Sequence, residues 1–367
     1  DESDAPTYYV IADNILSGNG YTYGKDLPPT AKRTPGYPLF IASVFKIFGR
    51  DFNGIRHAQA AMDVLTAYLV FILAALVFER KTVGLLASLA YALYPPSILS
   101  STYILTETLY TFFLALFAVA AILALKTRRY PFYLVSGIVL GLSSLTRPGI
   151  LLLPLVLLII ALIARRRAWK GFVIVALAFA VTLLPWTLRN KRDLGKAIPT
   201  STFVGGNLYM GNHLSTGGAY PMSSDSLFAD DLRLKLSGTT EVRRDSILRA
   251  EAIRIILANK KEVALLTVKK IPRLWLNLGY GRSPSKKSLG VAATHCLFIA
   301  LGIYGFLAIP SYIKYLAFVQ ITTIVFSSIM YLTITSVVRF VFPLIPLLLP
   351  FSAMGFLSLV DKLRLAR

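Results

Sequence analysis

Eighteen Asp and Glu stand against 39 Lys and Arg in this 367-residue chain, yet three of the acids, Asp1, Glu2 and Asp4, fall in the first four positions. A fourth, Glu107, opens an apolar run in "TETLYTFFLALF". Four arginines stand beside other apolar runs: Arg33 in "KRTPGYP", Arg147 in "LTRPG", Arg189 in "PWTLRN" and Arg339 in "SVVRFVFP". Guanidinium groups bind phosphate through paired N–H donors and keep their charge, so they stabilise a phosphate leaving group. A carboxylate within reach of a hydroxyl acts as general base, worth roughly 10² to 10⁴ in rate. Together these residue types suit a reaction that releases a lipid phosphate while an acceptor is deprotonated.

Each residue also has a plainer use. Asp4 before Ala5 and Pro6 is a helix N-cap pattern, and Thr106 with Glu107 resembles the start of a capped helix. An arginine at the end of a span snorkels to headgroups. Asp63, in "QAAMDVLTAY", sits inside an apolar run, where a hydrogen bond between helices is its ordinary employment. The histidines His57, His213 and His295 are isolated, with no partner at ligand spacing. A hard divalent cation on Asp1, Glu2 or Asp4 stays open. No phosphate-cradling loop, nucleophile elbow or dinucleotide fingerprint is present in the sequence.

What must position these residues is a membrane bundle. The chain is 55% hydrophobic and 16% charged, with a mean hydropathy of +0.63, too apolar for an ordinary soluble domain. The net charge of +21 sits in short clusters between apolar runs, which argues for membrane topology and against nucleic acid. Nine runs are long enough to be candidate spans: 54–78, 83–101, 106–125, 131–146, 149–164, 170–187, 289–309, 315–334 and 340–360. The predicted organisation is an outer catalytic loop over 1–53, six spans over 54–187, an outer segment over 188–288 and three spans over 289–367.

Basic residues of the short connections set the orientation. With Arg80, Lys81, Lys126, Arg128, Arg129, Arg165 to Arg167, Lys170, Lys314, Lys362, Arg364 and Arg367 inside, the acids and the four arginines meet at the outer face. The outer segments carry their own helices. "DAPTYYVIADNIL" places Tyr8, Ile11, Ala12 and Ile15 at helical spacing before Gly18 and Gly20. "GYPLFIASVFKIFG" is too short to span and reads as interfacial. "GGNLYMGNHLSTGGAYP" reads as glycine-rich loop, 240–259 as an amphipathic helix, and "VALLTVKKIPRLWLNLGY" as an interfacial stretch.

These motifs, in this order, resemble the polyprenyl-phosphate-dependent glycosyltransferases of the GT-C class, specifically family 39, which includes protein O-mannosyltransferases and the lipid A aminoarabinose transferase. Asp4, Tyr8, Ile11 and Ala12 hold the spacing of that family's first outer loop. "RTPGYPLF", "YPPSILSSTYILTETLY", "GLSSLTRPGILLLPL", "LLPWTLRN", "GGNLYMGN" and "SVVRFVFPLIPLLL" continue the match. The resemblance implies an all-α polytopic membrane protein of GT-C fold, with a polyprenyl-phosphate-linked sugar as donor and inversion at its anomeric carbon. The acceptor would be a protein, lipid or glycan. It implies a bacterial cytoplasmic membrane with the active site facing the periplasm, Asp4 as catalytic carboxylate, and Arg33, Arg147, Arg339, Tyr8 and, further off, Arg189 around the lipid phosphate. The family's Asp-Glu pair also reads onto Asp1 and Glu2, and Glu107 is a third candidate. Asp4 is preferred because the Tyr and Ile-Ala spacing starts from it. The family begins with a span before this acidic loop, so one is expected upstream. The rival class is a transporter or lipid flippase, which needs ionisable groups near the bilayer midplane; a scaffold comes last.

Overall fold

In the computed structural model, residues 4–164, 168–217, 227–278 and 285–365 are described. Sixteen α-helices follow one another among them. They are α1 (Ala5–Leu16), α2 (Gly36–Phe48), α3 (Phe52–Phe78), α4 (Lys81–Ala92), α5 (Pro95–Thr102), α6 (Glu107–Thr127), α7 (Tyr130–Thr146) and α8 (Leu153–Ile163). The second half holds α9 (Trp169–Leu194), α10 (Val204–Asn212), α11 (Asp230–Leu236), α12 (Glu241–Ala258), α13 (Lys260–Leu276), α14 (Lys286–Ala308), α15 (Ser311–Leu332) and α16 (Ile345–Leu365). No strand occurs among the described residues beyond one isolated bridge, Thr22 to Pro29. The chain is an all-α, multi-pass membrane protein.

Every apolar run of the sequence becomes helix, but the runs differ in reach. Six helices are long and apolar enough to cross a membrane: α3, α6, α9, α14, α15 and the final one, which includes the turns from Val338. The 83–101 run bends by 52° between α4 and α5, because Pro95 and Pro96 cannot continue the hydrogen-bond ladder of the preceding helix. α7 and the run from Pro148 to Ile163 are shorter apolar helices, separated at "TRPG", where Arg147 is extended.

Close backbone approach holds the last spans together. A Cβ on Gly305 would lie 2.1 Å from the carbonyl oxygen of Phe351, and one on Gly355 would lie 2.0 Å from that of Leu301. Only glycine lets α14 and α16 come this near, which is how membrane helices gain packing without a hydrophobic driving force. Connectivity then sorts the charges. Lys81, Lys126, Arg128, Lys170, Lys314 and Lys362 fall at one end of the bundle, and the starts of α6 and α16 with the ends of α7, α9 and α15 fall at the other.

Helices α1 and α2 form where expected, with α1 followed by Gly18 and Gly20 at φ 78° and 82°. The predicted helix at 240–259 is α12, capped by Thr240, whose hydroxyl accepts from the Arg243 amide. The glycine-rich stretch departs from expectation, since 204–212 is helix α10 and not loop. Two of its glycines are there for contact. A Cβ on Gly205 would meet the Asp245 carbonyl oxygen at 2.1 Å, and one on Gly211 would meet Ile334 backbone at 2.3 Å. Tertiary packing overrides the low helix propensity of glycine.

Candidate active site

Four separate segments converge at the end of the bundle opposite the basic cluster. The first is the turn before α2. A Cβ on Gly36 would lie 2.7 Å from Thr146 Oγ1 and 2.9 Å from the Leu145 carbonyl oxygen. Thr34 Oγ1 also donates to the Thr146 carbonyl at 2.8 Å. Residues 33–36 are thereby pressed against the end of α7, which brings Arg33 beside Arg147. The second is the start of α6. Tyr37 donates to Gln59 at 2.6 Å, and the Gln59 amide donates to the carbonyls of Ser101 and Tyr103 at 2.9 and 2.8 Å. This fixes the loop that delivers Glu107. In the third, α10 docks on the end of α15, where the Asn212 amide donates to the Thr333 carbonyl at 2.7 Å. That sets the approach to Arg339. The N-terminus of α1 is the fourth.

Asp4 occupies the N-cap position of α1 without capping it through its side chain. Its carboxylate goes elsewhere: Oδ1 to Arg33 Nη2 at 2.6 Å and Oδ2 to Arg339 Nη2 at 3.3 Å. Burial alone would raise its pKa. The two guanidinium groups outweigh that and hold the carboxyl below the ordinary value of 3.8. Arg33 in turn lies 5.1 Å from the ring centroid of Tyr8, a cation–π distance. Burial lifts the Tyr8 phenol to about 12, so it stays protonated.

Glu107 is 3% exposed and sits between Arg147, 3.3 Å away, and Arg339, 3.6 Å away. Its neighbour Thr106 makes no side-chain cap. Neither Glu107 oxygen has a hydrogen-bond partner of acceptable geometry, and neither do Arg33 Nε and Arg147 Nη1. Buried polar atoms are rarely left this way. Arg147 is held over Phe340 at 4.8 Å and Tyr110 at 5.8 Å.

Asp4, Tyr8, Arg33, Glu107, Arg147 and Arg339 line one cavity of about 140 Å³. Six of the residues singled out in the sequence are therefore together. Arg189 stands apart. It bonds Asp193 at 2.9 Å and donates to the carbonyls of Thr30 and Tyr21 at 2.7 and 3.0 Å, bracing the segment that leads to Arg33. Glu2 and Asp1 lie outside the described residues. Asp63 accepts a hydrogen bond from the Tyr91 hydroxyl, joining α3 to α4, as its plainer reading predicts.

Three contributors escaped sequence reasoning. Lys32 lines the cavity beside Arg33, and the Lys-Arg pair before "TPGYP" was its signal. Asn207 lines it from α10, inside the stretch taken for loop. Glu241 holds the cavity wall from a distance: it accepts from Thr30 Oγ1 at 2.6 Å, from the Ala31 amide at 2.8 Å and from Thr202 Oγ1. No sequence signal pointed to it. Among the described residues, no group of three His, Cys, Asp or Glu is placed to hold a metal ion.

Residues 32–187 match the family described as dolichyl-phosphate-mannose-protein mannosyltransferase. The resemblance read from the motifs is borne out over that stretch, which contains Arg33, Glu107 and Arg147 and excludes Asp4, Arg189 and Arg339. Among solved structures, the chain is similar to ArnT from Cupriavidus metallidurans bound to undecaprenyl phosphate, at 13% identity over 97% of this chain and 74% of that one, with a TM-score of 0.45. ArnT from the same organism in the apo state gives 14% identity over 96% and 73%, with a TM-score of 0.42. The curated proteins give no significant match.

Proposed function

With residues 32–187 carrying the pattern of the dolichyl-phosphate-mannose-protein mannosyltransferases, we propose that this protein is an integral-membrane glycosyltransferase. It moves a sugar from a polyprenyl-phosphate carrier to an acceptor hydroxyl at the outer face of a bacterial cytoplasmic membrane. One observation carries the reading: two carboxylates and the cations Lys32, Arg33, Arg147 and Arg339 share a single cavity at one end of a membrane bundle.

The chemistry follows from that inventory. The bond between the anomeric carbon and the phosphate oxygen breaks, and its electron pair leaves on the phosphate. Arg33, Arg147 and Arg339, with Lys32, meet that charge, so the phosphate departs without a separate general acid. The acceptor oxygen attacks from the opposite side, inverting the centre, and its proton passes to Asp4. Glu107 holds Arg147 and Arg339 in position from within the cavity. Because the short basic connections lie at the opposite end of the bundle, the positive-inside rule turns this cavity to the outer face.

The test is release of polyprenyl phosphate by the protein in detergent, offered a panel of polyprenyl-phosphate sugars. The unmodified protein is expected to turn over at least one donor, and Asp4→Asn to lose about 100-fold or more in kcat with folding and donor binding intact. Unchanged turnover in Asp4→Asn would remove the base role from Asp4 and pass it to Glu107 or Glu2. A folded protein that turns over no donor would refute the reading.

A further inference from the structure

Beside the carboxylate–arginine cavity lies a larger one, of about 440 Å³ against about 140 Å³. Helices α10 and α12, with Phe228 ahead of α11, build its walls. Lys32 and Phe203 line both cavities, and Lys32 Nζ is 5.5 Å from the Phe203 ring centroid. This pair is common to the two cavities, so a molecule in the larger one lies beside the one that Asp4 lines.

Charge distinguishes the two spaces. The smaller has two acids against four cations, which suits an anion. In the larger, Glu241 stands with Lys32 and Arg244, and Asp245 is paired with Arg249 at 2.6 Å. Its remaining character comes from aromatic rings: Phe203, Tyr209 and Phe228 line it, with Tyr209 and Phe228 centroids 5.7 Å apart. Aromatic walls with a few balanced polar groups bind a compact ligand through its apolar faces and orient it through its hydroxyls. A sugar ring has that make-up. A phosphorylated acceptor would compete with the donor for the smaller cavity, where four cations stand against two acids.

We propose that the larger cavity is the acceptor subsite and that the acceptor is a neutral saccharide. This rests on the transferase reading, and it adds the substrate class.

The experiment uses the whole protein in detergent with a donor that it turns over. Release of polyprenyl phosphate is measured first without acceptor, as transfer to water. It is then measured with a neutral aryl disaccharide, with the same disaccharide carrying a phosphate, and with a Ser/Thr peptide. The neutral disaccharide is expected to show a KM about tenfold or more below the other two. Leu248→Trp, which narrows the larger cavity from α12, is expected to raise the ratio of acceptor KM to donor KM about tenfold. The acceptor ranking needs no variant and so stands even if Leu248→Trp misfolds. Preference for the phosphorylated sugar or the peptide would overturn the proposal, as would an unmoved ratio in a folded variant. Those results leave release to water intact, whereas absence of release from every donor removes the transferase reading and this inference with it.

Discussion

Two cations on one carboxylate set the behaviour of Asp4. Its folded pKa is depressed by Arg33 and Arg339, so the stability it contributes is present above the ordinary carboxylate value and is lost as pH falls through the folded one. The acid limb of kcat/KM that belongs to Asp4 is therefore expected below pH 3.8. Arg339→Gln removes one of the two cations and should move that limb upward, measurable in a pH–rate profile of the residual activity. Glu107 answers a different question. At 3% exposure between two arginines, its removal leaves buried positive charge uncompensated, a change that costs about 3–5 kcal/mol in comparable pairs. Glu107→Ala should lower the melting temperature in detergent well beyond Asp4→Asn, and equal melting temperatures would contradict that role. Residue types were legible in the sequence because acids are scarce, 18 against 39 Lys and Arg, and three of them open the chain. Partners were not: Asp4 and Arg339 are 335 positions apart, and no local pattern encodes such a pairing.

At the scale of elements, the smaller cavity depends on a residue that does not line it. Glu241, at the start of α12, fastens Thr30, Ala31 and Thr202 with one carboxylate. Those bonds steady the turn that presents Lys32 and Arg33. Glu241→Ala is expected to lose about 1–3 kcal/mol of stability from unmet donors and to raise the donor KM more than it lowers kcat, whereas Glu241→Gln should recover part of the affinity. A loss confined to kcat would show that the fastening is irrelevant to donor binding. Between α14 and α16 the expected defect is steric. Gly305→Val drives a side chain into the Phe351 carbonyl oxygen, which a Cβ would approach at 2.1 Å. Overpacking of this kind costs about 1–3 kcal/mol when neighbours yield, and backbone yields least, so thermal unfolding should come at visibly lower temperature. Helical periodicity and breakers made the helices readable from sequence, although of the nine expected spans only six are helices long and apolar enough to cross, the runs at 83–101, 131–146 and 149–164 being bent or short. Helix α10 was not readable, because the glycines of "VGGNLYMGN" read as loop, whereas they let Asp245 and Ile334 backbone pack against the helix.

For the whole molecule, the prediction concerns polarity. Single cysteines replacing Asp193 and Arg128, at opposite ends of the bundle, in a protein whose Cys296 is first changed to Ser, should differ in labelling by a membrane-impermeant thiol reagent on intact cells. Asp193→Cys is expected to react and Arg128→Cys to stay protected until lysis; the reverse pattern would put the cavity on the cytoplasmic side and undo the proposed orientation. The sequence carried this polarity in its basic clusters. It did not carry the convergence of four distant segments on one cavity, since that is decided by contacts such as Gly36 on Thr146.

The double clasp on Asp4 has a kinetic meaning. While Arg33 and Arg339 hold both carboxylate oxygens, the proposed base is occupied, and an acceptor arriving first would meet no free proton acceptor. On the proposed function, a donor phosphate would compete for the same guanidinium groups and free the carboxylate as it binds. Polyprenyl phosphate is thus expected to inhibit competitively against donor, and acceptor bound in the larger cavity to wait there unreacted until donor arrives.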